Sequence, residues 1–580
     1  MKNFCLSLQK HYRSILSYGF TVIFCLFCLF VLYSFITAPF TGDLQVFMAA
    51  ANQVKYQSSG GLMAVFEAWE LKGICNRVFM WLIYYIADLT VGYENKIAFT
   101  YVAKSVYALF AIAVSVMIVH LWPAEDLKQK RYGFFAIFLS VFATFTSVQM
   151  QAEMTCVLIA LLCTACILHG KKRSLITAGI LAATLVFYKS IFILFFAVIV
   201  LGALLYDGKV FHNKQSLWLT FGCMGTCQIL FFLLVKLVYP QEFSDMRLAA
   251  ELQRTLLSAG SSTTLQYISD HFITDMTMTA AAIPLLMAGF AAGILLLFIF
   301  GKRKEYRRIG LLLILWLIPI DLIVLSNLYF QYHYYMLMLP GLISIITLLK
   351  YEQIPLISIF IAALLAGAVT LANNILGIVN FSLILLVIVH IALLAVVVGL
   401  CTGDIRIRNI FHIFTLAVCL FFWLSYDCAI SNKHNNLVDL QKQSVSVCSS
   451  NFPDDFGDAP VLFLDGGTAP FYADAPSYSR YFFNLPMQRW SVGKDWPIQQ
   501  AEYEKMLAYQ GKYIVFSSWF GIEKYPDLVQ KLNEEYEPLS NGGLYFHSPD
   551  WNLLQTVPVP DAASIAADTS CAIYIRKEIP

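Results

Sequence analysis

Residues 171–214 read KKRSLITAGILAATLVFYKSIFILFFAVIVLGALLYDGKVFHNK. Lys171, Lys172 and Arg173 stand before an apolar stretch, 174–206, and Lys209, His212 and Lys214 stand after it. At about 33 residues the stretch is too long for one membrane-crossing helix of ordinary tilt, which needs roughly 20. Basic residues gather at the cytoplasmic ends of spans, so both ends of this stretch belong on the same side. The stretch therefore crosses and returns, and the turn falls near Lys189-Ser190.

The rest of the chain extends this pattern. Of 580 residues, 59% are hydrophobic and 13% charged, which is too apolar for a water-soluble domain of this length. Further spans are predicted at about 18–37, 97–121, 132–147, 153–169, 217–238, 279–300, 309–328, 333–349, 353–372, 377–400 and 409–428. With the doubled stretch this makes about 13. The N-terminus, with Lys2, Lys10 and Arg13, is then cytoplasmic and the C-terminus external. The clusters Lys128/Lys130/Arg131 and Lys302/Arg303/Lys304/Arg307/Arg308, and also Lys350 and Arg406/Arg408, all fall on the cytoplasmic side. The first span reads as a retained anchor, because Phe35-Ile36 and Pro39-Phe40 leave no small-residue cleavage site at its exit.

The fold class is thus a polytopic α-helical membrane protein: a transmembrane module over 1–429 and an extracytoplasmic α/β domain over 430–580. The external loop 38–96 is too long for a connector and reads as helices lying along the membrane surface. Leu44, Phe47, Met48 and Ala51 form one apolar stripe opposite Asp43, Asn52 and Gln53, and Leu62, Val65, Phe66 and Trp69 form another. The run 78–86, too short to span, is assigned to the interface. Loop 239–278 carries Asp245, Arg247, Glu251 and Arg254 at helical spacing. In the tail, 461–464, 513–516 and 572–575 read as strands and 497–510 and 523–536 as helices.

A net charge of +2 gives nucleic acid no purchase, and nothing in the sequence speaks to oligomeric state. No CxxC or HExxH spacing points to a metal, and most of the 14 cysteines fall in spans, where they behave as small apolar residues. Cys448 and Cys571, in the tail, form a disulfide if the compartment oxidises thiols.

Several ionisable residues fall at the external boundary. Asp43 directly follows the first span; it reads both as a helix cap and as a general base on an acceptor hydroxyl or amine, and the roles are compatible. Glu67, Glu70, Lys72 and Arg77 crowd the first loop, either as a solvated face or as groups over the mouth of the bundle. Glu153, with Gln149 and Gln151, sits at a turn between spans, where a charge is costly unless paired or wetted. Lys189 either snorkels to headgroups or pairs with a lipid-borne phosphate. Arg247 and Arg254 are surface charges or phosphate contacts. Tyr332 and His333, in YFQYHYY, fit an aromatic belt or a sugar and phosphate contact. Arg480 is a fold-stabilising or a glycan-contacting residue.

The order and sidedness of these residues resemble the GT-C glycosyltransferases that use polyprenyl-phosphate sugars, notably the bacterial aminoarabinose transferases acting on lipid A and the protein O-mannosyltransferases. Asp43 matches the acidic residue after the first span. Trp69-Glu70-Leu71-Lys72-Gly73 is similar to a Glu-x-Lys-Pro-Pro-like stretch but lacks its prolines. Met150-Gln151-Ala152-Glu153, Phe187-Tyr188-Lys189-Ser190, and His333-Tyr334 followed by Pro340 match later motifs. The resemblance implies an inverting transfer with Asp43 as base, and Lys189, His333 and Arg247 on the donor phosphate. It also implies Glu70, Lys72, Glu153 and Tyr332 on the acceptor or sugar, with no cofactor beyond the polyprenyl-phosphate sugar. The acceptor is a lipid, an envelope polysaccharide or a protein. A lipid-linked glycan transporter is the rival from another class, though its charges usually lie mid-bilayer and its halves often repeat. A non-catalytic membrane scaffold is a third reading.

Overall fold

The computed structural model describes residues 28–29, 31–40, 42–68, 70, 72–124, 127–144, 148–212, 214–259, 283–325 and 331–351. In the tail it describes 439, 442, 445, 452–464, 469–481, 497–517, 525–546, 554–556 and 570–578. The expected spans at 353–372, 377–400 and 409–428, and Cys448, lie outside the described residues. The helices are α1 (Gly42–Gln53), α2 (Gly61–Glu67), α3 (Ile74–Val91), α4 (Lys96–Leu121), α5 (Leu127–Phe142), α6 (Ala152–His169) and α7 (Lys172–Leu185). They continue as α8 (Phe195–Tyr206), α9 (Lys214–Val238), α10 (Gln241–Ala259), α11 (Pro284–Lys302), α12 (Tyr306–Leu325) and α13 (Met338–Tyr351). Among the described residues, five helical stretches are long and apolar enough to cross a membrane: 74–91, 96–121, 152–169, 218–238 and 332–351. The chain is an integral membrane protein.

The doubled stretch folds as its charges require. Lys189, between α7 and α8, reaches Glu153 at the start of α6. Ser174, at the start of α7, bonds His169 Nδ1 at the end of α6, 2.7 Å away. Tyr206, at the end of α8, donates its hydroxyl to the Pro123 carbonyl just past α4 at 2.6 Å, and its backbone carbonyl accepts from Lys350 Nζ at 3.2 Å. Both ends of 174–206 therefore lie at one end of the bundle, beside basic residues, and Lys189 lies at the other. α6 is almost wholly enclosed, whereas 218–238 leaves Trp218, Ile229, Leu230, Leu234 and Leu237 exposed. An apolar face of that size suits lipid.

Two expectations for the first loop are corrected. The run 78–86 belongs to α3, an 18-residue helix, so shortness no longer bars it from spanning. And α1 is not a half-exposed surface helix: Leu44 to Gln53 are all buried, the polar Gln45, Asn52 and Gln53 included. The polar face is covered because the tail supplies its partners. Asn52 Nδ2 donates to Asp474 (2.9 Å), Gln53 Nε2 donates to the Ala475 carbonyl (2.9 Å), and Gln53 Oε1 accepts from Ser477 N–H (2.8 Å). Tyr93 in turn donates to the Phe471 carbonyl at 2.8 Å.

The tail forms one five-stranded sheet in the order β1-β2-β5-β3-β4, from β1 (Leu462–Leu464), β2 (Tyr513–Ser517), β3 (Tyr536–Phe546), β4 (Leu554–Thr556) and β5 (Ser570–Arg576). Only β1 and β2 run parallel. Side chains alternate along a strand, and here both faces are covered. Leu462, Leu464, Ile514, Phe516 and Tyr574 pack with Met506 of α14 (Pro497–Leu507) and Leu528 and Leu532 of α15 (Pro526–Glu535). Phe463, Tyr513, Val515 and Ile573 join the core that runs on through the helical bundle. The strands and helices read from the tail's sequence are present; β3 and β4 were not read.

Gln53→Leu keeps the volume but strands the Ser477 N–H and the Ala475 carbonyl. Each unsatisfied buried group costs about 1–3 kcal/mol. The variant should melt lower in detergent, and protease should cut the tail before the helical bundle; a wild-type melting curve would contradict this docking.

Candidate functional site

The site is built from four segments brought to one end of the bundle. The first is the link between α2 and α3. Gly73 N–H donates to the Tyr188 carbonyl and Cys75 N–H to the Phe187 carbonyl, both at 3.0 Å. A Cβ on Gly73 would lie 2.1 Å from the Phe187 carbonyl oxygen, so only glycine lets these backbones meet. This contact sets Lys72 beside Lys189. A proline at 73 would lack the N–H that donates to the Tyr188 carbonyl.

The second segment is the turn before α6. Gln149, Met150, Gln151 and Glu153 are all buried, and Met150 holds a left-handed backbone with φ of 58°. Such backbone strain persists only where the surroundings fix it, and it is concentrated at functional sites. Lys104, buried within α4, clamps this turn: its Nζ donates to Gln149 Oε1 at 2.7 Å and to the Pro39 carbonyl at 3.3 Å. Sequence reading missed Lys104, although a lysine inside an apolar span is itself a signal.

The third and fourth segments are the α7–α8 turn and residues 331–337, a 3-10 turn leading into α13. Lys189 Nζ donates to Glu153 Oε1 at 2.9 Å, and His333 Nε2 lies 3.6 Å from the same oxygen. Glu153 Oε2 accepts no hydrogen bond among the described residues. Lys72 is buried as a residue, and its ammonium sits 5.0 Å from the centre of the Tyr332 ring, which stacks edge-on with His333 at 4.3 Å. No carboxylate pairs with Lys72 among the described residues. Glu70 and Glu153 both lie within its electrostatic reach.

Glu70 and Asp43 stand at the edge of this cluster. Asn76 Nδ2 donates to Glu70 Oε1 at 2.7 Å, but burial dominates and raises the Glu70 carboxyl to about 7. Asp43, on the first turn of α1, is half-buried and within electrostatic reach of Glu70 and Lys189.

Beside the cluster a second set of charges joins α3, α10 and the tail. Arg77 of α3 pairs with Glu242 and lies 3.5 Å from Asp245, both on α10, and Glu242 Oε1 accepts from Ile74 N–H at 2.8 Å. Arg480 of the tail pairs with the same Asp245 and donates to Tyr239 Oη (2.9 Å) and the Glu67 carbonyl (3.2 Å). Arg480 thus bridges loop and tail. Arg247 lies on the exposed face of α10, away from Glu242 and Asp245. Of the residues singled out from sequence, Asp43, Glu70, Lys72, Glu153, Lys189, Tyr332 and His333 converge, and Arg247 does not. Among the described residues no group of three or more His, Cys, Asp or Glu could hold a metal ion.

No family model and no curated protein matches the chain. Two solved structures are similar: ArnT from Cupriavidus metallidurans in the apo state, and the same protein bound to undecaprenyl phosphate. Each is 14% identical with a TM-score of 0.52. The first match covers 95% of this chain and 99% of that one, the second 94% and 98%. The GT-C-like fold expected from the sequence resemblance is the fold of this chain.

Two measurements check the site's construction. Gly73→Ala should destabilise by about 1–3 kcal/mol, as overpacking does, and lower the melting temperature; an unchanged melting temperature would refute the close backbone contact. For Glu70, a folded value near 7 against about 4.5 unfolded means that the folded chain holds the proton more tightly. Its contribution to stability is complete below pH 4.5 and is lost as pH rises to about 7. Glu70→Gln should therefore flatten the fall in melting temperature between pH 5 and 7; an unaltered slope would remove Glu70 as its source.

Proposed function

We propose that the chain is a glycosyltransferase that takes a sugar from a polyprenyl-phosphate carrier and moves it to an acceptor at the extracytoplasmic face of the membrane. The observation that carries this reading is the convergence of two lysines, Lys72 and Lys189, with His333 and Tyr332 around Glu153 at one end of the bundle. The similarity in fold to a protein crystallised with undecaprenyl phosphate supports the same donor class.

In this reading Lys72 joins Lys189 and His333 at the donor phosphate, rather than serving the acceptor. Two ammonium groups match a phosphate monoanion or dianion, so the donor calls for no divalent metal. Asp43 takes the proton from an acceptor hydroxyl or amine, whose lone pair attacks the anomeric carbon. The carbon–oxygen bond to the phosphate breaks, its electron pair leaves with polyprenyl phosphate, and the anomeric centre inverts. Lys72 and Lys189 stabilise the charge that develops on the leaving oxygen. Glu153 orients Lys189, Glu70 and Tyr332 face the sugar or acceptor, and Arg247 meets lipid phosphate at the rim.

Asp43→Asn should lower kcat for transfer from a synthetic polyprenyl-phosphate sugar by about 10²–10⁴-fold, the range for loss of a general base. The donor KM should stay within about threefold. Lys72→Met should instead raise the donor KM. Wild-type turnover by Asp43→Asn would sink the assignment of the base.

A further inference from the structure

Two arginines, Arg77 and Arg480, face two carboxylates, Glu242 and Asp245, where α3, α10 and the tail meet. Both arginines reach the same Asp245 oxygen, Arg480 as a direct pair and Arg77 at 3.5 Å. The direct partner of Arg77 is Glu242, whose other oxygen accepts the Ile74 N–H at 2.8 Å. Ile74 follows Gly73, and the Gly73 N–H donates to the carbonyl of Tyr188, the residue before Lys189. At the far end of the same stretch, Arg480 Nε donates to the Glu67 carbonyl at 3.2 Å. Tyr239, which accepts from Arg480, sets its ring 5.7 Å from that of Phe66. Glu70 and Lys72 lie between these two anchors.

Arg77, Glu242 and Asp245 are buried, so their charges act on one another with little screening. While Arg480 balances Asp245, Arg77 is left to Glu242, and Glu242 keeps its hold on Ile74. Without Arg480 the two carboxylates compete for Arg77, and the anchor at Ile74 loosens. We propose that Arg480 is a positioning residue for the donor site. From the tail it balances Asp245, and through Arg77 and Glu242 it fixes the stretch that sets Lys72 beside Lys189. This inference rests on the reading of Lys72 as a group at the donor phosphate, and it makes the tail part of how that site is built.

The test is binding of undecaprenyl phosphate to the purified full chain in detergent. Arg480→Gln should weaken it about tenfold, a coupling of ordinary size within one charged network. Adding Asp245→Asn to Arg480→Gln should restore binding to within about threefold of wild type, because Arg77 then has Glu242 alone to pair with. A tail that was merely loosened would lose more with the second substitution. In a Lys72→Met background, Arg480→Gln should change binding by less than about threefold. Lys55→Gln, which breaks an exposed ion pair between the first loop and Asp474 of the tail, should bind as wild type does. Wild-type binding by Arg480→Gln, no rescue by Asp245→Asn, an undiminished loss in Lys72→Met, or equal weakening by Lys55→Gln would each overturn the proposal and leave the donor reading standing. Wild-type binding by Lys72→Met would instead remove the donor reading, and this proposal with it. If Arg480→Gln fails to fold, Glu242→Ala decides the question: it releases the Ile74 N–H and should weaken binding about tenfold, and unchanged binding would overturn the proposal.

Discussion

Glu153 has no exposed surface, and one of its oxygens is shared between Lys189 and His333 while the other accepts no hydrogen bond. A buried carboxylate of this kind holds its partners firmly, because removing one leaves an uncompensated charge at a cost on the order of 3–5 kcal/mol. Much of the architecture serves that arrangement. The α7–α8 reversal delivers Lys189 to it, the strained turn at Met150 delivers Glu153, and the 3-10 turn before α13 delivers His333. Lys104, itself inside the bundle, ties the same turn to the exit of the first span through Gln149 and Pro39. The cluster is therefore preorganised from four distant parts of the chain. Lys72 adds a second ammonium within electrostatic reach of Glu153 and Glu70, with no direct ion pair among the described residues.

The first loop, α10 and the tail are fastened to one another by a separate device. Arg77, Glu242, Asp245 and Arg480 come from α3, α10 and the tail, and each buried charge among them meets an opposite one. Together with the hydrogen bonds from Asn52 and Gln53 to 474–477, they hold the sheet-bearing tail against the first loop. The helix that carries Asp43 is thereby fixed against the tail.

What the sequence made legible follows from the range of the forces involved. Hydropathy and basic residues act locally, so the reversal at Lys189 could be read from 171–214 together with the basic loop 302–308. The convergence of Asp43, Glu70, Lys72, Glu153, Lys189 and His333 was legible because ionisable groups beside apolar runs are costly and few. The fate of α1 was not, since its polar residues find their partners more than 400 positions away, and the stripe pattern looks the same whether water or protein covers it. Gly73 read as a departure from a proline-bearing motif, and its close approach to the Phe187 carbonyl is visible only in the fold. Strands β3 and β4 lack the unbroken apolar runs that mark β1 and β2, and the pairing of β3 with β5 is irregular between Pro538 and Gly543.

The central claim is that this cluster is made for a lipid-borne phosphate. Binding of undecaprenyl phosphate and of uncharged undecaprenol to the purified full chain, measured side by side with Lys72→Met and Lys189→Met variants, tests it directly. The account predicts tight binding of the phosphate alone, weakened at least tenfold by either substitution. Equal binding of the alcohol, or unchanged phosphate binding in both variants, would contradict it.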